Sequence, residues 1–123
     1  MTAAEVLKEV MSAVDAHRWD RLTDHLHHDF SCAYLHTGET FDRTSWIRLN
    51  AEYPGFERLR VQEIVGEDGR AACWSLVTAR GEAGTERFAC ATFVRSVDGL
   101  IIEMTEVWTE ITQTVPEEHR PSR

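Results

Sequence analysis

Residues 70–111 read RAACWSLVTARGEAGTERFACATFVRSVDGLIIEMTEVWTEI. Three extended segments, 70–81, 85–96 and 100–111, are separated here by Glu82-Ala83-Gly84 and Val97-Asp98-Gly99. A fourth, 57–66, precedes them across Glu67-Asp68-Gly69. Runs rich in Val, Ile, Thr, Phe and Trp, joined by hairpin-length turns, predict an antiparallel meander. A twelve-residue strand spans roughly 40 Å, whereas a chain of 123 residues folds into a body about 35 Å across. Strands of that length have to twist and curl. The concave side of such a sheet needs a lid.

The first half of the chain supplies one. Val6, Leu7, Val10, Met11 and Val14 form one stripe at helical spacing, which predicts a helix over 2–16. Thr2 and Glu5 form a capping-box pattern at its start. Asp20 can cap a short second helix, 21–27, that buries Leu22 and Leu26. Residues 29–36 read as a strand, and Thr40-Phe41 as a brief second one after the turn Thr37-Gly38-Glu39. A third helix, 43–53, starts at Asp42 or Thr44 and ends at Pro54-Gly55. It turns Trp46, Leu49, Asn50 and Tyr53 inward. The expected fold class is α+β: a cone-shaped, curved antiparallel or mixed sheet wrapped around N-terminal helices. It forms one domain, 1–115, with a flexible tail, 116–123.

Composition excludes several functions. Thirteen Lys and Arg against 21 Asp and Glu give a formal charge of −8, the wrong sign for a nucleic-acid-binding stripe. No apolar run reaches the roughly 18–20 residues of a membrane span. The start, MTAAEVLKEV, lacks the basic and apolar blocks of a signal peptide, so a cytoplasmic protein is expected. Cys32, Cys73 and Cys90 follow no zinc spacing and read as buried free thiols. His25, His27 and His28 read as a solvated cluster at the end of the second helix. No Gly-rich phosphate loop, Gly-x-Ser-x-Gly or His-Glu-x-x-His occurs, and neither a metal nor an organic cofactor is expected.

Candidate site residues follow from parity. Leu100, Ile102, Met104, Glu106 and Trp108 share one face of the last strand, apolar but for Glu106. A carboxylate there loses hydration and its pKa rises toward the range useful for proton transfer. Pairing with Arg80 or Arg87 is the structural alternative. Tyr34 and His36 end the first strand, where a cavity mouth falls, and are candidate proton-transfer or hydrogen-bonding partners. Asn50 and Tyr53, with Trp46, close the cone. Trp74, on a stripe with Ala72, Leu76 and Thr78, lines the pocket or fills the core.

Arg18-Trp19-Asp20, His28-Asp29-Phe30, Asp98-Gly99-Leu100-Ile101 and Glu106-Val107-Trp108, in this order, resemble the nuclear transport factor 2-like superfamily (cystatin-like fold). The likeness is to its small polyketide-cyclase-like, or SnoaL-like, bacterial proteins, and it covers residues 3–112. The resemblance implies a pocket inside the cone, and it implies a homodimer through the outer sheet face, where Phe88, Cys90, Thr92 and Val94 form an apolar stripe. Aligned without gaps, the three catalytic positions of the superfamily's ketosteroid isomerases fall on Val10, Tyr34 and Ala91. That apparatus is absent, and Ala91 is placed in the pocket. Glu106 is similar to the working carboxylate of the superfamily's epoxide hydrolases and cyclases. Three readings remain open. The first is a cofactor-independent isomerase, dehydratase or cyclase with Glu106 as acid/base, acting on a small hydrophobic or amphipathic molecule. The second is a non-catalytic binder of such a molecule, and the third a dimeric assembly module.

Overall fold

The computed structural model describes residues 1–112 and 117–121. Helix α1 (Ala3–Asp15) starts from the capping box: Thr2 Oγ1 accepts from the Glu5 N–H, and Glu5 Oε1 from the Thr2 N–H, both at 3.2 Å. Its apolar stripe, Val6, Leu7, Val10, Met11 and Val14, is buried. The helix is pinned at its other end by Asp15. That carboxylate accepts two bonds from Arg58, at 2.8 and 3.0 Å, and one from the Leu59 N–H at 2.9 Å. The Arg58 bond holds the Asp15 carboxyl below its ordinary pKa.

After α2 (Trp19–Leu22) come β1 (Leu26–Tyr34), β2 (Glu39–Asp42), α3 (Arg43–Ala51) and four strands: β3 (Phe56–Gly66), β4 (Arg70–Gly81), β5 (Gly84–Val97) and β6 (Leu100–Glu110). The six strands form one sheet, in the order β2-β1-β6-β5-β4-β3. All pairings are antiparallel except β1 with β6, so the sheet is mixed. The α+β class, the curved sheet and the N-terminal helices agree with expectation. A short 3₁₀ turn, Glu117–His119, follows. Residues 113–116 and 122–123, which include the end of the expected domain and part of the expected tail 116–123, lie outside the described residues. Among the described residues no helix is long and apolar enough to cross a membrane.

Three local expectations are corrected. The second helix stops at Leu22, and the strand predicted at 29–36 begins instead at Leu26. Leu22 and Leu26 do show helical spacing. But Leu26 is buried as a strand residue paired with Ile101, whose N–H donates to His25 O at 2.9 Å. His27 and His28 therefore sit on β1 and not at a helix end. Secondly, Ile101 rather than Ile102 is buried. The β5–β6 register slips between Arg95 and Ser96: Ser96 faces Ile101, while Arg95 faces Glu103, so Ile102 is an extra residue.

The slip also decides the third correction. Unbroken pairing back from the Asp98-Gly99 turn would set Thr92 opposite Thr105. With Ile102 bulged, Thr92 faces Glu106 and Cys90 faces Trp108. Directly opposed residues share a sheet face. Cys90, Thr92 and Val94 are thus inside and buried, and the outer face carries Ala91 and Phe93. On β4 the buried row is small, Ala71, Cys73, Ser75, Val77 and Ala79, while Trp74 and Leu76 point out.

Gly55 makes the sharp entry to β3. Its φ is 74°, its carbonyl accepts from the Arg80 N–H at 2.7 Å, and a Cβ there would run into the Arg80 carbonyl. Gly55→Ala is expected to cost about 1–3 kcal/mol, read as a lowered urea midpoint with an unchanged slope.

Candidate functional site

β6 carries Glu106 into the interior, where it is only 2% exposed. Neither Arg80 nor Arg87 reaches it; Arg80 pairs with Glu57 instead. Its partners are neutral donors. Thr92 Oγ1 donates to Oε2 at 2.7 Å, Cys90 Sγ donates to the same oxygen at 3.2 Å, and Trp46 Nε1 donates to Oε1 at 3.2 Å. Trp108 Nε1 is buried without a hydrogen-bond partner, yet it lies close enough to favour the charged carboxylate. Burial raises the Glu106 pKa above its ordinary 4.5, and the bonds from Thr92, Cys90 and Trp46 oppose that rise.

All three thiols surround this carboxyl. Cys32, Cys73 and Cys90 are buried and free. Burial pushes each thiol up, to about 11 for Cys73, and the Glu106 charge pushes the same way. They stay protonated near neutral pH and are poor nucleophiles. Tyr34, paired with Glu106 across β1 and β6, is raised by the same two causes, so its phenol is a donor and not a phenolate.

A cavity of about 300 Å³ opens beside this network. Tyr34 and Trp108 form its inner wall, α3 contributes Leu49, Asn50 and Tyr53, and Phe56, Leu59, Val77 and Phe88 complete an apolar lining. His36 and Glu110 stand at the strand ends. His36 Nδ1 accepts from the Trp108 N–H at 3.3 Å, which fixes its ring beside Tyr34, centroids 5.2 Å apart. Asn50 Nδ2 donates to Trp46 O at 2.9 Å, leaving its carbonyl oxygen for other partners.

The candidate residues therefore divide into three groups. Tyr34, His36, Asn50, Tyr53 and Trp108 line the cavity. Glu106, Trp46 and Met104 do not; they are buried behind it. Trp74, 44% exposed, and Ala91 lie on the outer face and leave the site. Ala91 is misplaced by the gapless count because the register slip reverses which residues of β5 look inward. Thr92, Phe88 and Glu110 were missed. The expected outer stripe holds Thr92 and Phe88, whereas Glu110 continues the parity of Glu106 and Trp108, one step past the last residue placed on that face.

On β1, His27, His28 and Asp29 bring one donor atom each within 4.8 Å. All are partly or fully exposed, and they already bond one another: the Asp29 N–H donates to His27 Nδ1 at 3.0 Å, and His28 Nε2 sits 3.4 Å from Asp29 Oδ2.

No protein-family model matches the chain, nor does the sequence of any curated protein. Solved structures do. A ketosteroid isomerase-like protein from Kribbella flavida is 26% identical, with a TM-score of 0.80 over 98% of this chain and 87% of the other. An NTF2-like protein of unknown function from Burkholderia xenovorans is 20% identical, with a TM-score of 0.77 over 93% and 87%. The chain has the nuclear transport factor 2-like fold. A SnoaL-like polyketide cyclase-like protein from Jannaschia shares it at 17% identity, with a TM-score of 0.71 over 85% and 83%.

The buried carboxyl makes stability depend on pH. A pKa raised in the folded state favours folding most below the unfolded value, about 4.5, and that contribution is lost as pH rises through the folded value. Glu106→Gln removes this titration and keeps the side chain's shape and one of its two acceptor oxygens. It should flatten the pH dependence of urea stability above pH 4.5 and gain relative stability toward pH 8. Glu106→Ala strands three buried donors and should cost about 2–4 kcal/mol.

Proposed function

We propose that this protein binds a small, mostly apolar molecule carrying a carbonyl or hydroxyl group in the cavity between α3 and the sheet. The observation that supports it is the cavity itself: about 300 Å³, aromatic and aliphatic on nearly every side, with the Tyr34 phenol at its inner wall. Pockets for small organic ligands have this character, with few but well-placed polar groups. Isomerase-like and cyclase-like proteins of the same fold are the general kind to which the chain is similar. In this reading Tyr34 donates to the ligand, Asn50 orients it, and Phe88 and Trp108 are its walls. Glu106 holds Trp46 in place and keeps the wall rigid.

A catalytic role for Glu106 as acid/base needs its proton to reach a ligand, and Glu106 is not among the residues that line this cavity. The only route on hand runs through Tyr34 or past Trp108. Binding alone needs no such movement and is the reading we adopt.

The fluorescent apolar amine N-phenyl-1-naphthylamine is a direct probe. It should bind with enhanced emission, and Phe88→Ala should weaken it by about tenfold, the loss of a large part of one aromatic contact. For a carbonyl-bearing ligand recovered by native mass spectrometry, Tyr34→Phe should cost a further five- to tenfold, about one hydrogen bond. A ligand turned over by the wild type, bound equally by Glu106→Gln and not turned over by it, would restore the acid/base reading.

We also propose that two copies meet through the outer sheet face. Phe93 is 53% exposed there and shares that face of three adjacent strands with Trp74, Leu76 and Val107, which are also exposed. A contiguous apolar patch of this kind is unusual on a lone soluble domain. Phe93→Lys should halve the mass seen by light scattering, with helix and sheet content unchanged.

A further inference from the structure

We infer that the cavity selects an organic cation, an apolar molecule bearing an ammonium group, over neutral or anionic molecules of the same shape. This rests on the binding reading above and specifies the ligand class.

Three observations carry it. First, four aromatic rings run in sequence around the cavity: Tyr53 to Phe88, Phe88 to Trp108 and Trp108 to Tyr34, with centroids 6.5, 6.3 and 6.5 Å apart. The planes of the first two pairs meet at 85° and 71°. Rings set edge-on to one another form the corners of a box, not a stack. All four rings border one volume, and a quaternary or protonated amine set against a ring face there is attracted by the ring quadrupole.

Second, among the described residues the lining contains no Lys or Arg, and its one carboxylate is Glu110. Glu110 is directly opposite Phe88 across β5 and β6, so it stands at the edge of the box. Glu86, two residues before Phe88, adds a second negative charge near Tyr53: burial holds that phenol above its ordinary pKa, and the charges of Glu86 and Glu110 push the same way. An anion entering here would meet carboxylates and ring faces and find no cationic partner. A cation would meet attraction from both.

Third, the whole chain carries −8. A field of that sign raises the local concentration of cations and repels anions before any contact is made. The two polar features then take separate ends of the ligand: the ammonium group lies in the box beside Glu110, and a carbonyl or hydroxyl reaches Tyr34.

Three naphthalene probes of matched shape test this by calorimetric titration: (1-naphthylmethyl)trimethylammonium, the uncharged carbon isostere 1-neopentylnaphthalene, and 1-naphthylacetate. The ammonium probe should bind about tenfold or more tightly than the isostere, the sum expected of a ring-face contact and one nearby carboxylate. The acetate should bind most weakly. Glu110 is exposed, so Glu110→Gln should fold normally. It should weaken the ammonium probe about threefold to tenfold, consistent with one partly screened charge, and leave the isostere unchanged. Added salt should narrow the gap in the wild type only. Equal affinity of ammonium probe and isostere, or a Glu110→Gln effect equal on both, overturns the cation reading while leaving the pocket. Absence of binding by all three and by N-phenyl-1-naphthylamine overturns the pocket reading itself.

Discussion

A carboxyl group sealed in an apolar interior is the constraint around which this fold is arranged. Among the described residues Glu106 has no counter-ion, and its desolvation is offset there by donors that the backbone must bring to within hydrogen-bond distance. Those donors come from different places. Thr92 and Cys90 lie on β5, where they meet Glu106 only because of the register slip at Ile102. Trp46 lies on α3, sixty residues away in sequence. The site therefore couples a bulge, a strand pair and a helix. Moving any one of them strands a buried polar atom, and such an atom costs more than its bond contributes.

The same network sets the wall of the cavity. Trp46 is held by Glu106 and in turn accepts the Asn50 side chain on its carbonyl, so the inner face of α3 is fixed from behind. Trp108 is fixed through its backbone by His36 and packs between Phe88 and Tyr34. Tyr34 faces both ways: its ring lines the cavity and its phenol feels the Glu106 charge. A polar interior and an apolar pocket thus share one partition, to which Tyr34 and Trp108 belong. That partition explains why Glu106 is prominent in the sequence and absent from the cavity surface.

Much of this was legible. The turns at Asp68-Gly69, Ala83-Gly84 and Asp98-Gly99 delimit β3 to β6 to within a residue or two, and the capping box marks the start of α1. The inward aim of Glu106 follows from its neighbours Met104 and Trp108. The reversed face of β5 traces to one extra residue, Ile102, in the register. A bulge has no composition signature in Leu100-Ile101-Ile102, three apolar residues of similar size, yet it decides which face of β5 is buried. On β4 both faces are apolar, so alternation had no contrast to read, and the larger residues were assigned inward. The actual inner row is small. In the β1 segment, pairing with β6 overrode a helical spacing of two leucines, as tertiary contacts commonly override local preference.

The small inner row on β4 also explains where the cavity is. Ala71, Cys73 and Ser75 let α1 approach the sheet closely, so the middle of the cone is solid. Val77 is where that close approach gives way to the cavity lining. Beyond it the inner side chains become Phe88, Trp108 and Tyr34, and α1 ends at Asp15, clamped to β3 by Arg58 and Leu59. The helix ends at the cavity, and its last inward residue, Val14, is part of the lining. The void thus comes from a length mismatch between a 13-residue helix and strands of 11 to 14 residues that run past it. A helix rises about 1.5 Å per residue and a strand about 3.3 Å, so α1 spans about half the sheet's length. Its Asp15 anchor at β3 then determines which half is left open.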